Sequence, residues 1–462
     1  MIVLNCLVFA LMLVVHYLIF RPSITALAFT AVIGGILALI ALKLLFIFIF
    51  FALFVITLYG LLKSDRDIFS PWSIFSLIWF FAVGVSSLGI TVYENPWSDF
   101  TWFNVLIAML FFLAGCFITL SRTKISAGSG ADVASIKDRI SGWPVSRYLA
   151  FIMPLFIASL AAMAYQYRVS GVIPMFGGAA GYTIDTARTV AALNSYLQRA
   201  ALTQVPIFIS INMFLLIKNN IRRYIKISLF LIGIISLIAI ATLASRFFLG
   251  SAIITSIIIY HYLRNRFKLK QVLIVGILIA IVIVSIPVYI RGILPEKYLE
   301  SIGFSKAYIW TAPLYLGISM NYFVFDKVVE YVNENGFRYG WLVSYPVRAI
   351  FAEKERLDSE IAKYATPGAE WMSATVMGEF YGDFGVVGVA LGMLILGFFT
   401  SYVYIRMLKR PTPFNVFLHS YNAWNIIYSI YLNGFIMFDY FWNVLVIWLI
   451  SLFCGKRRAK NA

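Results

Sequence analysis

Stretches of about twenty apolar residues follow one another along most of this chain, and each is long enough to cross the hydrocarbon core of a bilayer as a helix. These runs lie near residues 3–20, 23–42, 44–62, 71–92, 100–121, 148–167, 200–217, 225–245, 247–263, 271–290, 386–405, 414–432 and 436–454. The sequence therefore predicts an all-α polytopic membrane protein. We expect about 13 transmembrane helices (range 12–14), in a single membrane domain that spans residues 1–462.

Composition excludes a water-soluble fold. Hydrophobic residues make up 62% of the chain and charged residues only 12%, whereas soluble domains are about one quarter charged. The net charge of +17 does not indicate nucleic-acid binding, because lysine and arginine lie in short clusters between apolar runs, where they set orientation in a bilayer. The first run has no basic n-region and no small-residue cleavage site, so we expect a first helix rather than a signal peptide.

The basic clusters also predict orientation. Alternate connecting segments, with Arg21 on the same side, hold 23 of the 37 basic residues but only 4 of the 20 acidic ones. The positive-inside rule places that side in the cytoplasm, the N-terminus outside and the C-terminus inside. We therefore expect a multi-pass protein of the cytoplasmic (inner) membrane.

Two segments on the predicted outer side are too long to be simple turns. They are a smaller outer loop at 168–199 and a large outer loop at 291–385. Long loops within compact proteins are usually functional or disordered, and the large one is rich in Trp, Tyr and Phe, which favours folding. We expect it to form short helices on or dipping into the outer membrane face and to carry the active site.

Four arginines lie at or near the predicted outer face: Arg246, Arg291, Arg338 and Arg348. Each one alone could extend its side chain to the lipid headgroups. Together they could bind a diphosphate, because guanidinium groups bind phosphate through two parallel hydrogen bonds and keep their charge.

A segment at 378–388 carries two carboxylates, Glu379 and Asp383, four residues apart and hence on one face if helical. One interpretation is acids favoured by a helix N-terminus, followed by Gly388 and Gly392 for close helix packing. The other is a general base at the membrane edge, because ionisable groups at membrane depth are often functional.

The histidines do not suit an outer site. His16, His261 and His419 lie near predicted cytoplasmic helix ends and are not spaced for metal binding, so we expect neither a metal nor another cofactor. Asp67 belongs to a short charged stretch that we expect to be a solvated helix end.

The chain resembles the Wzy-type oligosaccharide repeat-unit polymerases, the O-antigen polymerase group. The architecture is similar throughout, and the motif Gly378-Glu379-x-Tyr381-x-x-Phe384-Gly385-x-x-Gly388 follows the large loop. Ser245-Arg246, and Val172-Ile173-Pro174-Met175-Phe176 at the start of the smaller outer loop, add support.

The resemblance implies an inverting, metal-independent glycosyltransferase of GT-C-related fold. It would join repeat units carried on a polyprenyl diphosphate, usually undecaprenyl diphosphate, with a lipid-linked glycan as donor and another as acceptor, and with a chain-length regulator protein as a possible partner. Glu379 or Asp383 would be the base. The alternatives are an O-antigen ligase-like transferase and a lipid-linked oligosaccharide flippase. Related ligases use an outer-loop histidine, which this sequence lacks.

The charge asymmetry gives a topology test. Reporter fusions at about residue 130 and after residue 456 should report a cytoplasmic location, and one at about residue 330 an external location. Paired alkaline phosphatase and green fluorescent protein fusions measure this. A cytoplasmic signal at residue 330 would contradict the orientation.

Overall fold

The computed structural model describes most of the apolar runs and parts of the connections. The described residues are 2–20, 42–63, 66–90, 97–123, 136, 140, 143–170, 173, 200–218, 220–243, 245–264, 266–280, 311–348 and 373–455.

These residues are helical almost throughout, and the described part of the chain has isolated bridges, such as that between Thr375 and Leu432, in place of a sheet. The first helices are α1 (Ile2–Phe20), α2 (Leu42–Lys63), α3 (Pro71–Ser86), α4 (Asp99–Ser121), α5 (Val145–Ser170), α6 (Gln204–Ile217) and α7 (Arg223–Thr242). The others are α8 (Arg246–Leu263), α9 (Leu269–Ala280), α10 (Ala312–Asn335), the single turn α11 (Tyr345–Arg348), α12 (Met377–Lys409), α13 (Pro413–Tyr428) and α14 (Phe438–Cys454).

A helix occupies all or much of every predicted run except 23–42, of which residues 23–41 lie outside the described residues. Among the described helices, five are long and apolar enough to cross a membrane, and several shorter ones are strongly apolar. The protein is thus an all-α membrane protein, and the number of crossings stays a prediction.

The described part of the large loop is helical. It contains α10, a helix of 24 residues, and the single turn α11. Helix α10 is buried among its neighbours: Tyr322 is fully buried, and its ring lies 6.1 Å from Trp79 and 5.2 Å from Trp97. The apolar and aromatic side chains of α10 pack against those of neighbouring helices, which accounts for its burial. The predicted end of the loop at residue 385 coincides with an interruption of α12, which begins at Met377 and is non-helical at Gly385.

Helices α4 and α12 pack closely because each has a glycine at their crossing. A Cβ atom on Gly397 would overlap the carbonyl of Phe112, and one on Gly115 would overlap the carbonyl of Leu394. The Cys116 Sγ lies 3.6 Å from the Gly397 carbonyl oxygen. Small residues that let two backbones meet are typical of helix pairs in membranes.

A buried polar cluster joins helix ends that are predicted to be cytoplasmic. Asp67, fully buried before α3, accepts hydrogen bonds from the Tyr262 hydroxyl at 2.6 Å and the Tyr404 hydroxyl at 2.9 Å. The His261 Nε2 lies 3.4 Å away, and the His419 Nε2 lies 3.0 Å from the Tyr262 hydroxyl. These groups connect α3, α8, α12 and α13.

The prediction of a solvated helix end is therefore wrong for Asp67. Burial alone would raise the pKa of this carboxyl, but the nearby imidazole of His261 and the hydroxyl of Tyr262 lower the pKa to about 2. The aspartate is ionised and hydrogen-bonded inside the protein, as a buried charge must be.

The glycine crossing gives a stability test. Gly397→Ala should destabilise the protein by roughly 1–3 kcal/mol, since the new methyl group forces the α4 and α12 backbones apart. Gly276→Ala in α9 is the matched control: a Cβ there meets nothing within 4 Å, and alanine favours helix more than glycine does. Thermal unfolding in detergent measures both. An unchanged melting temperature for Gly397→Ala would contradict the close packing.

Candidate functional site

The segment that opens α12 is a short helix followed by a sharp elbow. Gly385 interrupts the helix with φ of 61° and ψ of −145°. Cβ atoms built on Gly388 and Gly392 would meet Phe380, the first at its backbone and the second at its ring. In an uninterrupted helix, residues 380 and 388 are about 12 Å apart along the axis. The chain therefore bends back on itself, and these two glycines pack against the elbow instead of a neighbouring helix.

Unusual backbone conformations concentrate at this elbow. Of the six residues with positive φ in the described chain, five lie in it or beside it: Gly336, Tyr339, Gly340, Thr375 and Gly385. Two of these are not glycine, so their Cβ atoms make the conformation unfavourable. Such strain collects at binding and catalytic sites, where the surrounding structure imposes it.

Asp383 holds the end of α10 and the turn that follows it against the elbow. Its Oδ1 accepts the backbone N–H of Leu342 at 3.0 Å, and its Oδ2 accepts that of Val343 at 2.8 Å. The carbonyls of Gly382 and Asp383 accept the N–H groups of Arg338 and Tyr339 at 2.9 and 3.1 Å. Asp383 is fully buried. These four hydrogen bonds fix residues 338–343, which we call the arginine loop.

The arginine loop orients two of the four candidate arginines. Arg348, one turn after the loop, stacks its guanidinium 3.8 Å from the centre of the Trp341 ring, and its Nε donates to the Trp341 carbonyl at 3.0 Å. The charge of Arg348 also acts on the Asp383 carboxylate. Arg338 is exposed. The structure thus brings Arg338, Arg348 and Asp383 together.

Glu379 lies in the first turn of α12 and is half-buried. It shares the helical segment with Asp383, which is the arrangement that the spacing predicted. Just before it, the N–H groups of Thr375 and Val376 donate to the carbonyls of Tyr431 and Ser429 at 3.2 and 2.8 Å. The start of the elbow is therefore fixed to the end of α13.

Arg246 begins α8, and its backbone lies in the same region. The ring of the next residue, Phe247, packs 4.9 Å from that of Tyr428, at the end of α13. The side chain of Arg246, the whole of Arg291 and most of the motif at 172–176 lie outside the described residues. Trp341 is one of several aromatic residues that flank Arg338 and Arg348 in the sequence, but the sequence alone does not select it as the partner of Arg348.

Comparison with known proteins agrees with this architecture. A family model described as O-antigen polymerase matches residues 1–423. No curated protein and no solved structure matches the chain. The family match extends over nearly the whole membrane domain and includes the elbow, the arginine loop and the start of α8. The chain belongs to the O-antigen polymerase family.

Proposed function

We propose that the protein joins oligosaccharide repeat units carried on a polyprenyl diphosphate into a surface polysaccharide. Membership of the family gives it a polymerase role in polysaccharide biosynthesis. One observation at the elbow carries the finer proposal. The half-buried carboxylate of Glu379 lies in the same helical segment as Asp383, which binds the arginine loop. The charge asymmetry of the connecting segments supports a location at the outer face.

The arginines suit the departing diphosphate. As the bond between the sugar and the diphosphate breaks, negative charge builds on the leaving oxygen, and positioned cations stabilise it. The ring and carbonyl of Trp341 hold the Arg348 side chain in position. This side chain would therefore need to move little to stabilise the leaving diphosphate. Arg338, Arg246 and Arg291 would complete the binding site. This charge would come from side chains, and the proposed reaction is therefore independent of metal.

Glu379 suits the role of base. The hydroxyl of the incoming unit attacks the anomeric carbon of the growing chain on the face opposite the diphosphate, and Glu379 takes its proton. One new glycosidic bond forms, one sugar–phosphate bond breaks, and the configuration inverts. The lipid tails would lie between helices, consistent with the GT-C relation that the resemblance implies.

Loss of the arginines tests the diphosphate site. In a deletion strain, alanine variants of Arg246, Arg291, Arg338 and Arg348 should lower polymerisation about 10²- to 10³-fold in at least two cases, because charge stabilisation is lost. Arg348→Lys should rescue poorly, since lysine has no planar fork. Gels of surface polysaccharide and membrane immunoblots measure chain length and protein amount. Arg222→Ala, at a fully exposed arginine on the predicted cytoplasmic side, is the control. Full activity in all four alanine variants would refute the proposed site.

Replacement of the base tests the chemistry. Glu379→Gln should leave the protein folded and able to bind lipid-linked glycan but abolish chain extension, because the amide accepts no proton. Asp383→Asn should do less damage, since asparagine keeps one of the two oxygens that accept N–H groups of the arginine loop. In cells, a polymerase defect leaves single repeat units on the surface, whereas a flippase defect removes all glycan. Wild-type extension by purified Glu379→Gln protein would exclude Glu379 as the base.

A further inference from the structure

Tyr339 combines two unfavourable features. Its φ is 49°, a left-handed conformation that only glycine, asparagine and aspartate adopt readily. The residue is 78% exposed, the largest exposed fraction among the exposed large hydrophobic residues of the described chain. Neither feature improves packing, because the ring contact of Tyr339 among the described residues is an edge contact with Phe337 at 6.3 Å.

The fold nevertheless holds the backbone of this tyrosine in place. Its N–H donates to the Asp383 carbonyl at 3.1 Å, and the N–H of its neighbour Arg338 donates to the Gly382 carbonyl. Phe384 and Trp341, which are 45% and 42% exposed, lie on the same part of the elbow and loop. The result is an exposed aromatic surface, on a backbone held by hydrogen bonds, directly beside an exposed arginine.

We propose that the ring of Tyr339 stacks on a sugar of the lipid-linked glycan, namely the sugar attached to the diphosphate. This inference rests on the proposed function, in which Arg338 binds the diphosphate. Because Tyr339 follows Arg338 directly, a sugar bonded to a diphosphate at Arg338 would lie beside the Tyr339 ring. The C–H face of a sugar is an apolar surface that fits an aromatic ring.

A lipid headgroup is the competing partner, since tyrosines are common at membrane interfaces. It explains the strain less well. A tyrosine that only contacts headgroups needs no particular backbone conformation. Recognition of one sugar needs a backbone that directs the ring toward that sugar. The strained backbone therefore favours the glycan.

The test uses Tyr339→Asn, because asparagine tolerates the left-handed conformation while removing the ring. With purified full-length protein in detergent, the KM for lipid-linked repeat unit should rise about fivefold or more, with kcat within about twofold of wild type. The inhibition constant of sugar-free polyprenyl diphosphate should not change, because the ring contacts the sugar alone. The melting temperature should be equal or higher.

Two variants sharpen the result. Tyr339→Phe keeps the ring and should retain the wild-type KM. Val347→Asn, at a position that is 60% exposed on the nearby α11 turn, should have no effect. The proposal is overturned if Tyr339→Asn leaves KM unchanged in detergent, acts only in bilayers, weakens sugar-free lipid equally or lowers the melting temperature, or if Tyr339→Phe raises KM. Absence of polymerisation by the wild-type protein would instead refute the proposed function.

Discussion

Two backbone amides meet the buried carboxylate of Asp383 where the chain turns into the long part of α12. Hydrogen bonds to a charged group contribute roughly 1.5–3 kcal/mol each, and a buried charge that loses them is costly. These hydrogen bonds therefore hold the arginine loop against the elbow. The positions of Arg338, Tyr339 and the Trp341–Arg348 pair all depend on this contact, so one side chain organises most of the candidate site.

At the opposite ends of α8 and α12, a second buried carboxylate accepts hydrogen bonds. Asp67 accepts hydroxyl hydrogen bonds from Tyr262 near the end of α8 and Tyr404 near the end of α12. The His261 Nδ1 accepts the Phe267 N–H at 2.9 Å, so its Nε2 carries the proton that faces Asp67. A cluster of neutral donors around one ionised acid thus holds the helices whose opposite ends carry Arg246 and Glu379. Between these ends, the glycine crossing sets the spacing of α4 and α12.

Sequence reasoning predicts the helices well, because a bilayer allows little besides apolar helices of about twenty residues. It also predicts that Glu379 and Asp383 lie four residues apart in one helical segment, which the start of α12 shows. It misses the elbow, because positive φ at Gly385 leaves no periodic signal. It misjudges Asp67 for a related reason: the partners that bury this acid come from helices almost 200 and more than 330 residues further along the chain, and no local pattern reveals them.

The same contacts bear on which carboxylate acts as base. If Asp383 took a proton, its carboxyl would become neutral, and its hydrogen bonds to the Leu342 and Val343 N–H groups would weaken. The arginine loop would then be held less firmly during the proposed reaction. Glu379 lies one helical turn earlier, is half-buried and is not the residue that binds the arginine loop. We therefore propose a division of labour, in which Asp383 keeps the arginine loop in place and Glu379 exchanges the proton.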